Sequence, residues 1–257
     1  MKITLDWRKT VQENANHCYS LAKELAKKQE GARRAINETD GQLAQAHEKK
    51  AAATESKAQP IMRRKREWFE KFRWFYTSGG KLVIAGRDAK QNDLLVSKMM
   101  DDSDLFFHAD IQGAPATILK GGKGAGEEEK GEAAQFAASH SSAWKTGAAA
   151  VDVYAVGKEQ LAKHAQGGFV GAGGFAITGE REWFRDTPLG IAMGEKDGAV
   201  LCFPERHPDS KKMKIDVRMG FVEKGKAAKM IAHLLNASID EVLAALPSGK
   251  FAVKEKK

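Results

Sequence analysis

His108 and Asp110 stand one residue apart in residues 104–115, Asp-Leu-Phe-Phe-His-Ala-Asp-Ile-Gln-Gly-Ala-Pro. In an extended strand this spacing puts both side chains on one face. An imidazole beside a carboxylate is the pairing used in general acid–base chemistry, and Arg87 with Asp88 could complete such a constellation. No nucleophile accompanies them, and His108 and Asp110 offer too few ligands for a metal site. No metal and no cofactor are therefore expected. The polar set Arg87, Asp88, Gln91, Asn92, His108 and Asp110 has a second use. Hydrogen-bonding groups gathered beside apolar strands satisfy one another or meet a ligand. His140, beside serines on an otherwise apolar segment, reads as a core or surface residue, and His47 lies on a long helix.

The elements that must position these groups are legible as periodicities. Residues 75–77 and 82–85 are apolar runs of strand composition split by Ser78-Gly79-Gly80, which is a hairpin signal. Gly86-Arg87-Asp88 ends the second strand, and Asp88 can cap a following helix. Leu94, Leu95, Lys98 and Met99 lie at helical spacing. Residues 105–111 form a strand with Phe106, His108 and Asp110 on one side, and Leu105, Phe107, Ala109 and Ile111 on the other. Further along, the pattern predicts a helix over 127–144, a strand over 151–156, and a strand–turn–strand hairpin over 175–185. Strands over 188–194 and 200–203 follow, then helices over 224–236 and from Ser238 to Leu246. The glycine-rich run 167–174 lacks the strand–turn–helix order of a dinucleotide site.

Residues 86–92 (Gly-Arg-Asp-Ala-Lys-Gln-Asn), followed by 108–114 (His-Ala-Asp-Ile-Gln-Gly-Ala), resemble the signature of the NFACT-R domain. That domain is the C-terminal RNA-binding module of the NFACT family of ribosome-associated quality-control factors, the NEMF and RqcH types. Residues 10–28 and 175–185 also resemble family segments. The resemblance implies an RNA-facing surface shaped by Gly86, Asp88, Gln91, Asn92 and Asp110, with Arg87 and His108 as the better contacts. It implies ribosomal RNA, tRNA or the large ribosomal subunit as partners.

Residues 1–73 read as a helical coiled-coil segment, 74–250 as the domain, and 251–257 as a basic tail, disordered over 254–257. The expected class is α+β: a long N-terminal coiled-coil-type helix followed by a mixed α/β globular domain. Thr10 and Glu13 form a capping box, and Val11, Ala15, Cys18, Ala22 and Leu25 follow at helical spacing. Gly31, Gly41 and Pro60 are weak points where the helix could bend or break. Trp68, Phe69, Phe72 and Phe75, also at helical spacing, would dock its base on the domain. A thinly apolar helix needs a partner. The chain resembles one that begins halfway through the family's two-helix coiled coil, so that the family's N-terminal tRNA-handling domain would be missing and its tailing activity does not carry over. The outgoing helix would come from a partner chain, from self-association, or not at all.

The net charge of +8 favours a polyanionic partner. Arg63, Arg64, Lys65 and Arg66 form the sharpest basic cluster, beside aromatics. Lys98, and Lys120 with Lys123 in a glycine-rich loop, are further RNA-contact candidates. Lys211, Lys212, Lys214 and Arg218 make a second patch. No apolar run approaches the roughly 20 residues of a membrane span, and two distant cysteines, Cys18 and Cys202, fit a reducing cytoplasm. The expected function is a non-catalytic RNA-binding module. The alternatives are a nucleic-acid-processing enzyme using His108 and Asp110, and a coiled-coil protein-binding adaptor.

Overall fold

The computed structural model describes residues 4–55, 67–165, 168–196 and 199–256. The chain divides into two compact units, residues 1–63 and 64–257.

The first unit is helix α1, Val11–Glu55, whose 45 residues give a length of about 68 Å at 1.5 Å per residue. The capping box forms: Thr10 N–H donates to Glu13 Oε2 at 2.8 Å and Glu13 N–H to Thr10 Oγ1 at 3.3 Å. The helix runs unbroken through Gly31 and Gly41, two of the three weak points; the third, Pro60, lies outside the described residues. A lone glycine costs a helix only about 1 kcal/mol. The ion pairs Glu24–Lys28 and Glu30–Arg34, at i,i+4 with the acid first, support it. Val11, Leu25, Ile36 and Leu43 stay exposed. With Ala15, Cys18, Ala22, the polar Gln29, Ala32 and Thr39 they follow alternating four- and three-residue steps, a spacing that coiled coils use.

The second unit is built on antiparallel strands. A 3-10 turn, Trp68–Lys71, leads into β1 (Arg73–Tyr76) and β2 (Leu82–Ala85), the expected hairpin. Then come α2 (Ala89–Leu94), a π-helical turn (Leu95–Met99), β3 (Leu105–Ala109), β4 (Thr117–Leu119), α3 (Glu127–Ser139), α4 (Ala143–Thr146) and β5 (Ala150–Gly157). Four short strands follow: β6 (Leu161–Ala162), β7 (His164–Ala165), β8 (Gly168–Phe169) and β9 (Ala176–Ile177). The chain continues through β10 (Glu182–Pro188), β11 (Ile191–Lys196), β12 (Ala199–Pro204) and β13 (Ile215–Glu223). It closes with α5 (Lys224–Leu235), α6 (Ile239–Ala245) and β14 (Lys250–Glu255).

The large sheet has the order β1-β2-β4-β3-β5-β10 and a second sheet the order β12-β11-β13-β14. Helix α3 packs against strands of both, and the main core joins Phe75, Phe107, Phe136, Ile191, Val217 and Phe251. The large sheet's other face is covered by the two turns, burying Phe69, Phe72, Leu95, Phe106, Ile118 and Tyr154. Strand β3 is thus buried on both faces, with the alternation that its sequence predicts.

Four expectations give way. Trp68, Phe69, Phe72 and Phe75 do not line one helix; a single 3-10 turn and a strand carry them, and Trp68 stays half exposed. The helix expected over 127–144 stops at Ser139, where His140 takes φ −102° and ψ 5°, and α4 starts afresh. The 175–185 hairpin does not form: β9 pairs with β6, and β10 pairs with β5. Gln160 Nε2 donates to Thr178 O (2.9 Å) and Glu180 O (2.7 Å), clamping a turn that carries the chain from the small sheet to the edge of the large one. Trp183 and Phe184 then pack against opposite faces of the large sheet, which a bare hairpin could not cover. Finally, the expected basic tail is β14, the edge strand beside β13, because Phe251 and Val253 turn into the main core.

Candidate nucleic-acid interface

The segment 86–92 wires itself together. Gly86 N–H donates to Ala116 O at 3.0 Å, and Ala116 N–H donates to Asn92 Oδ1 at 3.1 Å. Asn92 Oδ1 lies 2.1 Å from where a Cβ on Gly86 would stand, so only glycine fits there. Asp88 caps α2 by accepting from Gln91 N–H at 2.9 Å. Gln91 Oε1 accepts from Arg87 N–H at 3.1 Å, and its Nε2 donates to Lys71 O at 3.3 Å. Arg87 Nη2 donates to the carbonyls of Phe72 (3.0 Å) and Glu70 (3.3 Å). Gly86, Asp88, Gln91 and Asn92 therefore hold the loop. A residue that sequence reasoning passed over, Asp93, ties this loop to the glycine run: it accepts from Lys163 Nζ and, at 3.1 Å, from Gly173 N–H. Gly173, at φ +77°, approaches Ala89 so closely that a Cβ would meet its Cα at 2.7 Å.

His108, on β3, sits on the face of the large sheet that carries Tyr154 of β5 and Trp183 of β10. Its ring stacks on Phe106 with centroids 6.0 Å apart and lies 5.8 Å from Tyr154, whose hydroxyl is 3.5 Å from His108 Nδ1. Burial, above all, pushes the His108 pKa down; backbone hydrogen bonds with Ala109 and Ala114, and then Asp110, oppose it, and Arg181 adds a little to the lowering. The ring is therefore neutral at pH 7, able to donate one hydrogen bond or to stack. The Asp110 side chain is exposed, and its N–H donates to Asp152 O at 2.7 Å.

Two arginines complete this face. The Arg181 guanidinium lies 4.6 Å from the Tyr154 ring centre and 5.7 Å from that of Trp183, and Arg185 lies 3.9 Å from Trp183. Arg185 also pairs with Asp152. Cations over ring faces attract through the ring quadrupole, and a guanidinium held flat offers its outer plane to a base. Residue reading missed these four groups, although Arg181-x-Trp183-x-Arg185 has the two-residue period of a strand face.

Residues 71–179 match the family described as the NFACT protein RNA binding domain. The Archaeal Rqc2 homolog aRqcH of Methanocaldococcus jannaschii is 40% identical over 205 residues, 76% of this chain and 30% of that protein. The Ribosome quality control complex subunit NEMF homolog of Drosophila melanogaster is 31% identical over 219 residues, 82% of this chain and 22% of that protein. The human Ribosome quality control complex subunit NEMF is 33% identical over 134 residues, 51% of this chain and 12% of that protein. The chain belongs to the NFACT family, through its NFACT-R domain. It spans less than a third of the length of these relatives.

The match runs from the 3-10 turn to just past β9, so the NFACT-R domain's signature loop and His108 strand lie inside it, and Arg181 to Arg185 lie just beyond. The other sequence-predicted contacts are dispersed. Arg63, Arg64, Lys65 and Arg66 lie outside the described residues. Lys120 and Lys123 follow β4, beside the start of β3, whereas His108 and Asp110 mark its far end. Lys120 Nζ donates to Met99 O (2.8 Å), Asp101 (2.7 Å) and Asp104 (2.6 Å), so its three donors are already engaged. Lys123 pairs with Glu159 at 3.1 Å. Lys98 is exposed at the end of the π-helical turn. Among the described residues, no group of three or more His, Cys, Asp or Glu side chains could hold a metal ion. No helix among them is long and apolar enough to cross a membrane.

Proposed function

We propose that this chain is a non-catalytic RNA-binding module of ribosome-associated quality control, working in the cytoplasm and docking on RNA of the large ribosomal subunit or on tRNA. The observation that carries the reading is the sheet face on which Arg181 and Arg185 lie over Tyr154 and Trp183 beside neutral His108. Aromatic rings layered with guanidinium groups suit unstacked bases and the phosphates next to them. The NFACT-R match and relatives named for ribosome quality control support the same reading. The arrangement favours binding over catalysis: His108 has Tyr154 and Phe106 as its close neighbours, and Asp110 turns to solvent.

Filter binding to ribosomal RNA and to tRNA across a salt series tests this, together with sedimentation with large subunits with and without RNase. The affinity should fall steeply with salt, and Arg181→Ala with Arg185→Ala should each flatten the slope of log K against log salt by about 0.7 to 0.9. A folded protein with no affinity for either RNA at low salt rejects the proposal. RNA turnover abolished by His108→Ala, in protein that stays folded, would support the enzyme alternative.

A further inference from the structure

Arg73 is the anomaly of the domain. It stands on β1, its Nη1 donates to Gly86 O at 2.8 Å, and its Nε, sealed from water, has no hydrogen-bond partner. Among the described residues no carboxylate pairs with it. Arg87 stands near enough to disfavour its charge: burial first, then Arg87, pulls the Arg73 pKa down to about 10. Lys224 feels the same pair; burial, then Arg73 and Arg87, lowers it to about 8. His140, on the other side, is held neutral by burial and by Arg73, at about 3. A buried cation without a paired counter-charge costs several kcal/mol; here the charge of Arg87 outweighs the opposing influence of Cys202 and Asp88.

Arg73, Arg87 and His140 border two clefts. One, of about 590 Å³, opens beside α6 and is also lined by Glu67, Glu70, Asp240 and Glu241, which repel an anion. The other, of about 550 Å³, is lined by both halves of the signature, including Gly86 and His108, and by residues 170–174 of the glycine run. Its single lining carboxylate is Asp88, whose Oδ1 accepts from Gln91 N–H at the cap of α2. Its size falls within the roughly 300 to 1,000 Å³ of small-ligand sites. Glycines at 171, 173 and 174 leave the opposite wall without side-chain bulk.

We propose that this glycine-walled cleft holds a phosphate group of RNA, bound by the Arg73 and Arg87 guanidiniums. The inference rests on the RNA reading and adds where a phosphate is held. A tetrahedral dianion or a phosphodiester would bring the missing counter-charge, and the planar guanidinium fork matches its oxygens. A terminal phosphate and an internal phosphodiester present the same chemistry, and the test separates them.

The 257-residue chain is melted in inorganic phosphate and in chloride at equal ionic strength. Its affinity is then measured by fluorescence anisotropy for one oligoribonucleotide bearing a 5′-phosphate or a 5′-hydroxyl. The variants are Arg73→Met, and Ala172→Asp on the exposed glycine wall, which places a carboxylate in the cleft while leaving every hydrogen bond of Arg73 intact. Phosphate should raise the melting temperature of the wild type, and both variants should lose that rise. Ala172→Asp should weaken RNA binding about tenfold or more, the weight of a lost charged hydrogen bond. A preference for the 5′-phosphate in the wild type assigns a terminal group; equal affinities, both weakened by Ala172→Asp, assign an internal one. Folded Ala172→Asp protein with the wild-type phosphate shift and RNA affinity overturns the cleft and leaves the RNA reading standing. A wild type that binds no RNA, yet shows a phosphate shift that Ala172→Asp removes, overturns the RNA reading and keeps the phosphate site.

Discussion

Asn92 turns its side-chain oxygen to Ala116 N–H, and this one bond accounts for much of the signature loop. Without it a partly buried amide is left unpaired, a loss of about 1–3 kcal/mol. Asn92→Leu should therefore lower the unfolding free energy in urea by that amount. Gly86→Ala should cost a similar or larger amount, because the new methyl falls on the same oxygen. If either variant keeps wild-type stability yet loses RNA affinity, these residues contact RNA and do not merely hold the loop. Asp88 was legible as a cap because capping is a local pattern. The Gly86–Asn92–Ala116 link was not, since Ala116 arrives from β4's approach, 24 residues beyond Asn92. The charge of Lys120 was legible in the sequence, but its neutralisation by Asp101 and Asp104 was not.

Among elements, the same division separates strands from their pairings. The alternation in β3 could be read directly, and so could the β1–β2 hairpin, because a turn sits between its strands. Strand β10 was readable as a strand, yet its partner β5 lies far back in the chain, and sequential neighbours make the default guess. Strand β14 reads as a tail in the sequence because its lysines outweigh Phe251 and Val253 in composition, although an edge strand needs only one apolar face. Phe251 is fully buried against Trp144, with centroids 5.3 Å apart. Phe251→Ala should cost about 3–5 kcal/mol, read as a lower urea midpoint at unchanged slope; a shift near zero would mean that residues 250–257 are dispensable. In α1 the exposed seam makes a separate prediction. Ile36→Lys should leave the melting of residues 64–257 unchanged and abolish any self-association seen by analytical ultracentrifugation. A mass that was never above the monomer's, with helicity intact, would leave the seam for a different chain.

At the scale of the whole molecule, the buried charges give stability a pH profile that net charge alone does not predict. Lys224 has its pKa lowered from 10.5 to about 8 in the folded state. Between those values the unfolded chain binds more protons, so stability rises with pH; the gain is complete above 10.5 and lost as pH falls through 8. Cys202 works in the opposite sense. Burial raises its pKa from 9.0 to about 12, so its contribution is complete below 9 and is lost as pH climbs towards 12. Tyr154, also raised by burial, adds to the loss above its ordinary value of 10.0. Lys224 and Cys202 overlap from 9 to 10.5, where they oppose each other, and Arg73, lowered from 12.5 to about 10, adds a rise above 10, so the profile should climb from pH 8 to 9, flatten, and then decline only weakly. Urea unfolding at half-unit steps from pH 7 to 11 measures this, with variants resolving the two contributions. Lys224→Met should remove the climb, and Cys202→Ala should postpone the decline. Profiles for both variants that run parallel to the wild type would mean that these side chains titrate alike in the folded and unfolded chain. Arg73 and Arg87 would then not lower the Lys224 pKa, and the electrostatic support for an anion in the neighbouring cleft would be gone.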